Sequence, residues 1–159
     1  MNKIIIDGKE YELSAELVEK IKAEVAEQEK AENPFERNVD ERYYYVDACG
    51  GVGTFIDIMD GTDNAHYSVG NYSTAKAIIE QRALHETLNR LLWRYSEMHG
   101  GGEKRGGYFI YLSNMEDMRV GHCTYAGCGD VYFRKKEVAE AAIKEVVEPF
   151  MAAHPEFVW

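Results

Sequence analysis

The feature that most constrains the fold is residues 73–98, the longest stretch of the chain with helical periodicity. It contains neither proline nor glycine, and large or apolar side chains recur in it at steps of three and four. These positions are Ala77, Gln81, Leu84, Leu88, Leu91, Leu92 and Tyr95. They predict a helix with an apolar stripe about a third of its circumference wide. A sheet or a second helix must cover that stripe.

The long helix closes a segment, residues 43–99, that is typical of a β-β-β-α module. YYYVD at its start predicts a first strand, because aromatic and β-branched residues favour strands. Gly-rich and Asp-rich turns then separate two further expected strands, Val52–Met59 and His66–Val69. Ser73 or Thr74 is positioned to cap the helix that follows.

A second copy of the same order is expected over residues 107–159. Its strands are predicted at Tyr108–Leu112, Met118–Thr124 and Val131–Phe133. The apolar stripe of a helix then runs from Val138 to Phe150. The shared order of aromatic strand, glycine-rich turns and amphipathic helix indicates a tandem repeat.

A shorter segment, residues 1–34, precedes both copies. Lys3–Ile6 and Lys9–Leu13 predict a β-hairpin, and Ser14 can cap the helix that follows it. This helix is acidic and ends before Pro34, and a polar linker is expected at residues 35–42.

The sequence therefore predicts an α+β fold: an N-terminal hairpin and helix, then two tandem β-β-β-α modules, each an antiparallel sheet with a packed helix.

No apolar run approaches the roughly 20 residues that a membrane span requires. The N-terminal stretch lacks the long apolar segment of a signal peptide. Three cysteines are an odd number in no framework spacing, which is typical of a reducing compartment. We therefore expect a cytoplasmic protein.

Acidic charge is concentrated in the first part of the chain. Residues 1–70 carry 16 Asp and Glu against 7 Lys and Arg, whereas residues 71–159 carry 12 against 11. A surface of that sign repels nucleic acid and attracts basic protein surfaces, so direct nucleic-acid binding is not expected. The same charge is also compatible with solubility alone.

No motif in the sequence names a reaction, a metal or a cofactor. His85-Glu86 begins like a metalloprotease helix, but Asn89 stands where the second histidine is needed. The cysteines lack the spacing of a zinc site, and the aspartates of the 57–63 turn lack that of a calcium loop. We therefore expect a protein that is not an enzyme and uses no metal or cofactor.

Partner contacts are predicted for acidic and tyrosine side chains of the first 63 residues. Tyrosine is enriched at protein interfaces, and carboxylates complement a basic target. The acidic helix, the outer face of the YYYVD strand and the turn acids provide these side chains. The predicted contact residues are Glu24, Glu27, Glu29, Glu32, Tyr43, Tyr45, Asp47, Asp57, Asp60 and Asp63.

The order of these motifs resembles small accessory proteins of phages and mobile elements. The resemblance rests on YYYVD, on GNY before a Ser/Thr cap, on GDVYFRKKEVAEAAIKEVVEPF and on DGKEYELSAELVEKIKAEVAEQEK. Some small acidic members of that repertoire resemble anti-CRISPR proteins. The resemblance implies an inhibitor that occupies the basic channel of a CRISPR effector, in the manner of a DNA mimic.

Two other functions remain open at this stage. A nucleic-acid-binding phage regulator would use the tyrosine-bearing sheet together with the basic residues 134–136. A structural protein would form a homodimer through the helix at residues 15–31.

Overall fold

The computed structural model describes residues 2–6, 9–20, 33–102, 106–125, 127 and 130–159, with side chains from residue 14 onward. The chain divides into two compact units. Unit 1 comprises Met1–Tyr45 and Thr54–Lys76, and unit 2 comprises Val46–Gly53 and Ala77–Trp159.

Six strands in the described residues pair as three two-stranded sheets. The strands are β1 (Asn2–Ile6), β2 (Lys9–Leu13), β3 (Arg42–Val46), β4 (Val52–Ile56), β5 (Gly107–Leu112) and β6 (Met118–Cys123). Each strand pairs with its neighbour in sequence, and the β1–β2 and β5–β6 pairs are antiparallel.

Helices complete an α+β architecture, which confirms the predicted class. They are α1 (residues 15–20 in its described part), α2 (Gly61–Ser68), α3 (Lys76–Met98), α4 (Lys136–Ala142) and α5 (Glu148–Ala153). A π-helical turn, Ile143–Val147, joins the last two. Ser14 caps α1 as predicted, because its Oγ lies 3.2 Å from the Leu17 amide nitrogen.

The third strand predicted for each copy is wrong as a strand. His66–Val69 falls in and just after α2, whose N-terminus is fixed by a capping box. In the second copy, Phe133 alone makes a bridge, to Tyr108. The local sequence favours helix capping in the first case, and a single bridge before a helix in the second.

The same backbone contact occurs before α3 and before α4. Tyr44 and Ser73 exchange two amide–carbonyl hydrogen bonds of 2.8 and 3.1 Å, and Tyr108 and Phe133 exchange two of 2.8 and 2.7 Å. In both places the helix begins three residues after the bridge.

The core of unit 2 lies between α3, α4 and α5. Its buried residues are Leu88, Leu92, Phe133, Ala139, Ala142, Val147, Phe150 and Phe157. The predicted stripe of α3 is confirmed at Leu88 and Leu92, whereas Ala77 is exposed and Ile79 and Ala83 are buried in its place.

Candidate protein-binding surface

Asp57, directly after β4, is the centre of the polar structure of unit 1. Its side chain is fully buried, and the Arg37 guanidinium pairs with both carboxylate oxygens. The Nε–Oδ2 and Nη2–Oδ1 distances are 2.5 and 2.7 Å. These hydrogen bonds hold the pKa of Asp57 below its ordinary value, so the carboxylate stays ionised although it is buried.

The Arg37 side chain is held on its other sides as well. Its Nη1 atom lies 2.5 Å from Oδ1 of Asn64, and its guanidinium carbon lies 5.5 Å from the centroid of the Tyr67 ring. Residues 35–42, where the sequence predicted a linker, thus contribute the counter-charge to a buried acid.

Asp57 also organises the backbone around it. Its amide donates to the Glu41 carbonyl at 2.8 Å, and its carbonyl accepts from the Asp40 amide at 2.7 Å. Its Oδ1 accepts a hydrogen bond of 2.8 Å from the Met59 amide, two residues on. Asp40 and Met59 have φ values of 65° and 59°, a region that side-chain-bearing residues seldom adopt. The ion pair and its hydrogen bonds stabilise both strained residues.

Tyrosines pack behind the ion pair. The rings of Tyr43 and Tyr72 stack with centroids 4.5 Å apart, and both side chains are buried. Burial, followed by the nearby Asp57 carboxylate, raises the pKa of Tyr72 to about 12. The Tyr72 hydroxyl forms no hydrogen bond of good geometry with any described residue. These tyrosines stay neutral, which favours a structural role.

Asp63 is the second buried acid of unit 1. Its Oδ1 accepts the Tyr43 hydroxyl proton at 2.8 Å, and its Oδ2 accepts the amides of Ile58 and Asp60 at 2.9 and 3.2 Å. Burial alone would raise the pKa of Asp63, but these hydrogen bonds outweigh it and hold the pKa below the ordinary value. Asp63 thereby fixes the backbone of residues 58–60.

Apolar side chains are exposed around the buried Asp57. We call this group the apolar tip; its members are Phe55, Ile56, Ile58 and Met59. Ile58 is 63% exposed and Asp57 is 0% exposed, which reverses the usual rule that aliphatic residues are buried and acids exposed. Exposed apolar side chains rimmed by polar residues are typical of a protein-binding surface.

Acidic side chains lie beside the apolar tip. Asp40 is exposed and its backbone is bonded to Asp57, and the exposed Asp60 follows Met59 directly. Arg42 is an exposed base in the same stretch. With the Asp57 charge already paired by Arg37, Asp40 and Asp60 give this surface its negative sign.

The remaining predicted contact residues are placed as follows. Tyr45 is half-buried, and its ring stacks on Phe55 and on His66 with centroids 5.4 and 4.2 Å away. Asp47 accepts the amides of Cys49 and Gly51 at 2.8 and 2.9 Å, so it stabilises the turn between β3 and β4. Four acids lie outside the described residues: Glu24, Glu27, Glu29 and Glu32.

Burial separates the predicted contact residues into two groups. Tyr43, Asp57 and Asp63 are buried, so their side chains support the surface from within and do not face a partner. Asp60 is exposed and stays a predicted contact residue.

Sequence reasoning missed Arg37 and the apolar tip. The run Phe55–Met59 does contain a signal, because four large apolar residues surround one acid that needs a partner.

Comparisons with protein-family models, with curated proteins and with solved structures found no match to this chain. In the residues that the structure describes, no helix is both long enough and apolar enough to cross a membrane. The same residues contain no group of three His, Cys, Asp or Glu side chains able to hold a metal ion.

Proposed function

We propose that this protein is a non-enzymatic inhibitor of a bacterial defence system that acts in the host cytoplasm. Its partner is a basic nucleic-acid-binding protein, and the resemblance to phage accessory proteins favours a CRISPR effector. The observation that carries this proposal is the apolar tip, which combines exposed aliphatic side chains with neighbouring exposed carboxylates.

The apolar tip favours a protein partner over a nucleic acid. Burying an isoleucine side chain stabilises a complex by about 1.5–3 kcal/mol, and a protein surface offers apolar area to cover it. A phosphate backbone offers no such area, and it is repelled by the carboxylates of Asp40 and Asp60. An apolar centre with a charged rim is the usual anatomy of a protein–protein interface.

The charge distribution favours a basic partner. The first 70 residues carry nearly all of the net charge of -10. An excess of carboxylates of this size accelerates association with a positively charged surface and makes the binding affinity sensitive to salt. A nucleic-acid channel in a defence effector is such a surface.

We also propose that the segments at 43–99 and 107–159 descend from one duplicated module. The matching bridges, Tyr44–Ser73 and Tyr108–Phe133, support this proposal, since each precedes a helix by three residues. Each module contains a hairpin, one bridging residue and a helix, and the first also carries α2 between its hairpin and the bridging residue.

The proposal is tested with a double variant of the apolar tip. Replacing Ile56 and Ile58 by Lys removes two apolar contacts and adds charge of the same sign as the partner. Binding to a panel of purified CRISPR effectors, measured by biolayer interferometry, should weaken at least about tenfold. Circular dichroism should stay unchanged, since both side chains are more than half exposed.

The matched control is Val158→Lys, which makes the same change at a 66% exposed aliphatic residue of unit 2. It should leave the affinity unchanged, and an equal loss in both variants would contradict a role for the apolar tip.

Replacing Glu24, Glu27 and Glu29 by Lys should weaken inhibition and flatten its salt dependence. If no effector of the panel binds, or if labelled DNA is retained in a low-salt filter assay, the proposal is wrong.

A further inference from the structure

A groove of about 580 Å³ in unit 2 has the size of a small-molecule site. It lies among α3, β5, the end of β6, and the segments at 130–133 and 157–159. Its lining residues are mainly apolar and aromatic. Its aromatic and polar lining residues include His85, Phe109, Asp130, Tyr132, Phe157 and Trp159.

The wall formed by Phe157 and Trp159 is positioned by one side chain of α3. The Gln81 amide donates to the Glu156 carbonyl at 2.6 Å and accepts from the Val158 amide at 3.0 Å. These two hydrogen bonds hold the backbone of residues 156–158 against the helix. Phe157 and Trp159 then meet edge-to-face with centroids 6.2 Å apart.

The wall formed by Phe109 depends on a glycine opposite it. Phe109 pairs with Gly121 across the β5–β6 hairpin, and a Cβ atom at position 121 would lie 2.7 Å from the Phe109 ring. Only glycine allows the ring to lie over the facing strand. Phe109 and Tyr132 meet edge-to-face, 6.4 Å apart, and complete an aromatic lining.

Asp130 supplies a carboxylate that no described cation neutralises. Among the described residues, its Oδ2 accepts one hydrogen bond of 3.0 Å, from the Tyr132 hydroxyl, so these residues leave most of its acceptor capacity unused. A Cβ at position 127 would lie 2.2 Å from that oxygen, so Gly127 permits the close approach of this carboxylate to the backbone.

Glu86, the other acid of the lining, is already paired. Its Oε1 and Oε2 atoms lie 2.8 and 3.2 Å from Arg82 and Arg90, one turn away on either side. The unpaired charge of the lining in the described residues is therefore that of Asp130.

We propose that the groove binds a planar aromatic molecule that carries an ammonium or similar cationic N–H donor. The aromatic lining takes the ring, and the faces of those rings attract the cation. Asp130 accepts the N–H donor, and the aliphatic floor formed by Leu88 and Leu92 excludes water.

Three probes with one ring system separate the contributions: tryptamine, indole and indole-3-acetate. Titration of the full chain, followed by amide NMR shifts and calorimetry, should show saturable binding of tryptamine. The affinity should decrease in the order tryptamine, indole, indole-3-acetate. The shifts should centre on the groove lining, which falls in residues 85–92, 109–110, 123, 130–133 and 157–159. The proposal would be overturned by shifts confined to residues outside the groove lining, by no saturation at millimolar tryptamine, or by equal affinities for the three probes.

Two variants complete the test. Asp130→Asn keeps the shape and the Tyr132 contact, and it should weaken tryptamine binding about tenfold while leaving indole binding unchanged. Gly121→Val pushes the Phe109 ring from its place and should weaken both probes, with the matched change Gly61→Val, in open space, as control. If Asp130→Asn weakens both probes equally or neither, the role assigned to Asp130 is wrong.

Discussion

At the scale of single residues, the Arg37–Asp57 ion pair holds the loop that carries the apolar tip. Burying a carboxylate costs several kcal/mol, and this cost is offset only when both oxygens are hydrogen-bonded to a well-placed cation and to the backbone. Asp57 has two hydrogen bonds from Arg37 and one from Met59, so the condition is met. Removal of either partner leaves an uncompensated charge.

We predict that Arg37→Ala lowers the free energy of unfolding by about 3 kcal/mol, because it leaves Asp57 ionised and buried without a counter-charge. Urea denaturation followed by circular dichroism measures this loss. The control is Arg119→Ala, which breaks a pair with Asp117 whose side chains are 48% and 52% exposed. That variant should lower the free energy of unfolding far less, because water screens an exposed ion pair. Equal losses for the two variants would show that the buried pair has no special role.

The two buried acids of unit 1 also predict how stability depends on pH. The pKa values of Asp57 and Asp63 are both held below the ordinary value of 3.8. Above that value the unfolded and folded chains are equally ionised, and the full stabilisation is present. As the pH falls below it, the unfolded chain takes up protons first, so the free energy of unfolding decreases.

Urea midpoints between pH 2.5 and pH 7 test this expectation. Wild-type protein should lose stability steeply below about pH 4. Asp63→Asn should be less stable at neutral pH and should show a shallower decrease in acid, because one of the two groups no longer titrates. A variant curve parallel to that of the wild type would contradict a contribution from Asp63.

At the scale of elements, α2 shows how a turn signal and a helix start can be confused. Asp60-Gly61 belongs to the Asp-rich and Gly-rich sequence that predicts a turn before a third strand. In the structure the Asp60 side chain accepts the amides of Thr62 and Asp63 at 2.7 and 2.9 Å, while Asp63 accepts the Asp60 amide. This reciprocal capping box starts a helix in a segment without a strong apolar pattern.

Removal of the cap should therefore destabilise unit 1. Asp60→Ala is expected to cost about 1 kcal/mol, as is usual for a lost N-cap, and to increase amide hydrogen exchange in α2. Thr62→Ala is the matched control, because Thr62 is an exposed first-turn residue that contributes its amide but not its side chain to the box. If both variants exchange alike, the cap does not determine the helix start.

A π-helical turn lies within the last helical segment, and side-chain periodicity alone does not predict it. An apolar stripe was predicted from Val138 to Phe150, and the buried positions Ala139, Ala142, Val147 and Phe150 lie on it. The step of five between Ala142 and Val147 falls in the π-helical turn. Pro149 follows, and its missing amide cannot bond the carbonyl four residues earlier. The helical segment ends at Ala153, two residues before Pro155.

At the scale of the whole molecule, the chain separates its two candidate sites between two units. The apolar tip and its acids belong to unit 1, and the aromatic groove belongs to unit 2. Variants of one site can thus be tested with the other site as an internal reference, since substitutions that share no partners usually have additive effects.

Local signals explain what could be predicted from the sequence alone. The hairpin strands, α3 and the α+β class follow from side-chain periodicity and turn chemistry, which act over a few residues. The concentration of acid in residues 1–70 is likewise a property of the sequence. The sequence also named Asp57, Asp60 and Asp63 as contact residues, since carboxylates at a turn complement a basic partner.

Only the tertiary structure decided which of these acids are exposed. Asp57 is buried because Arg37, twenty positions earlier, reaches its carboxylate, and Asp63 is buried because Tyr43, also twenty positions earlier, donates to it. The apolar tip is exposed for the same reason, since the inward position between Ile56 and Ile58 is taken by an ion-paired acid. No periodicity encodes such contacts, because their free energy depends on the three-dimensional arrangement of the cation, the hydrogen-bond donors and the excluded water.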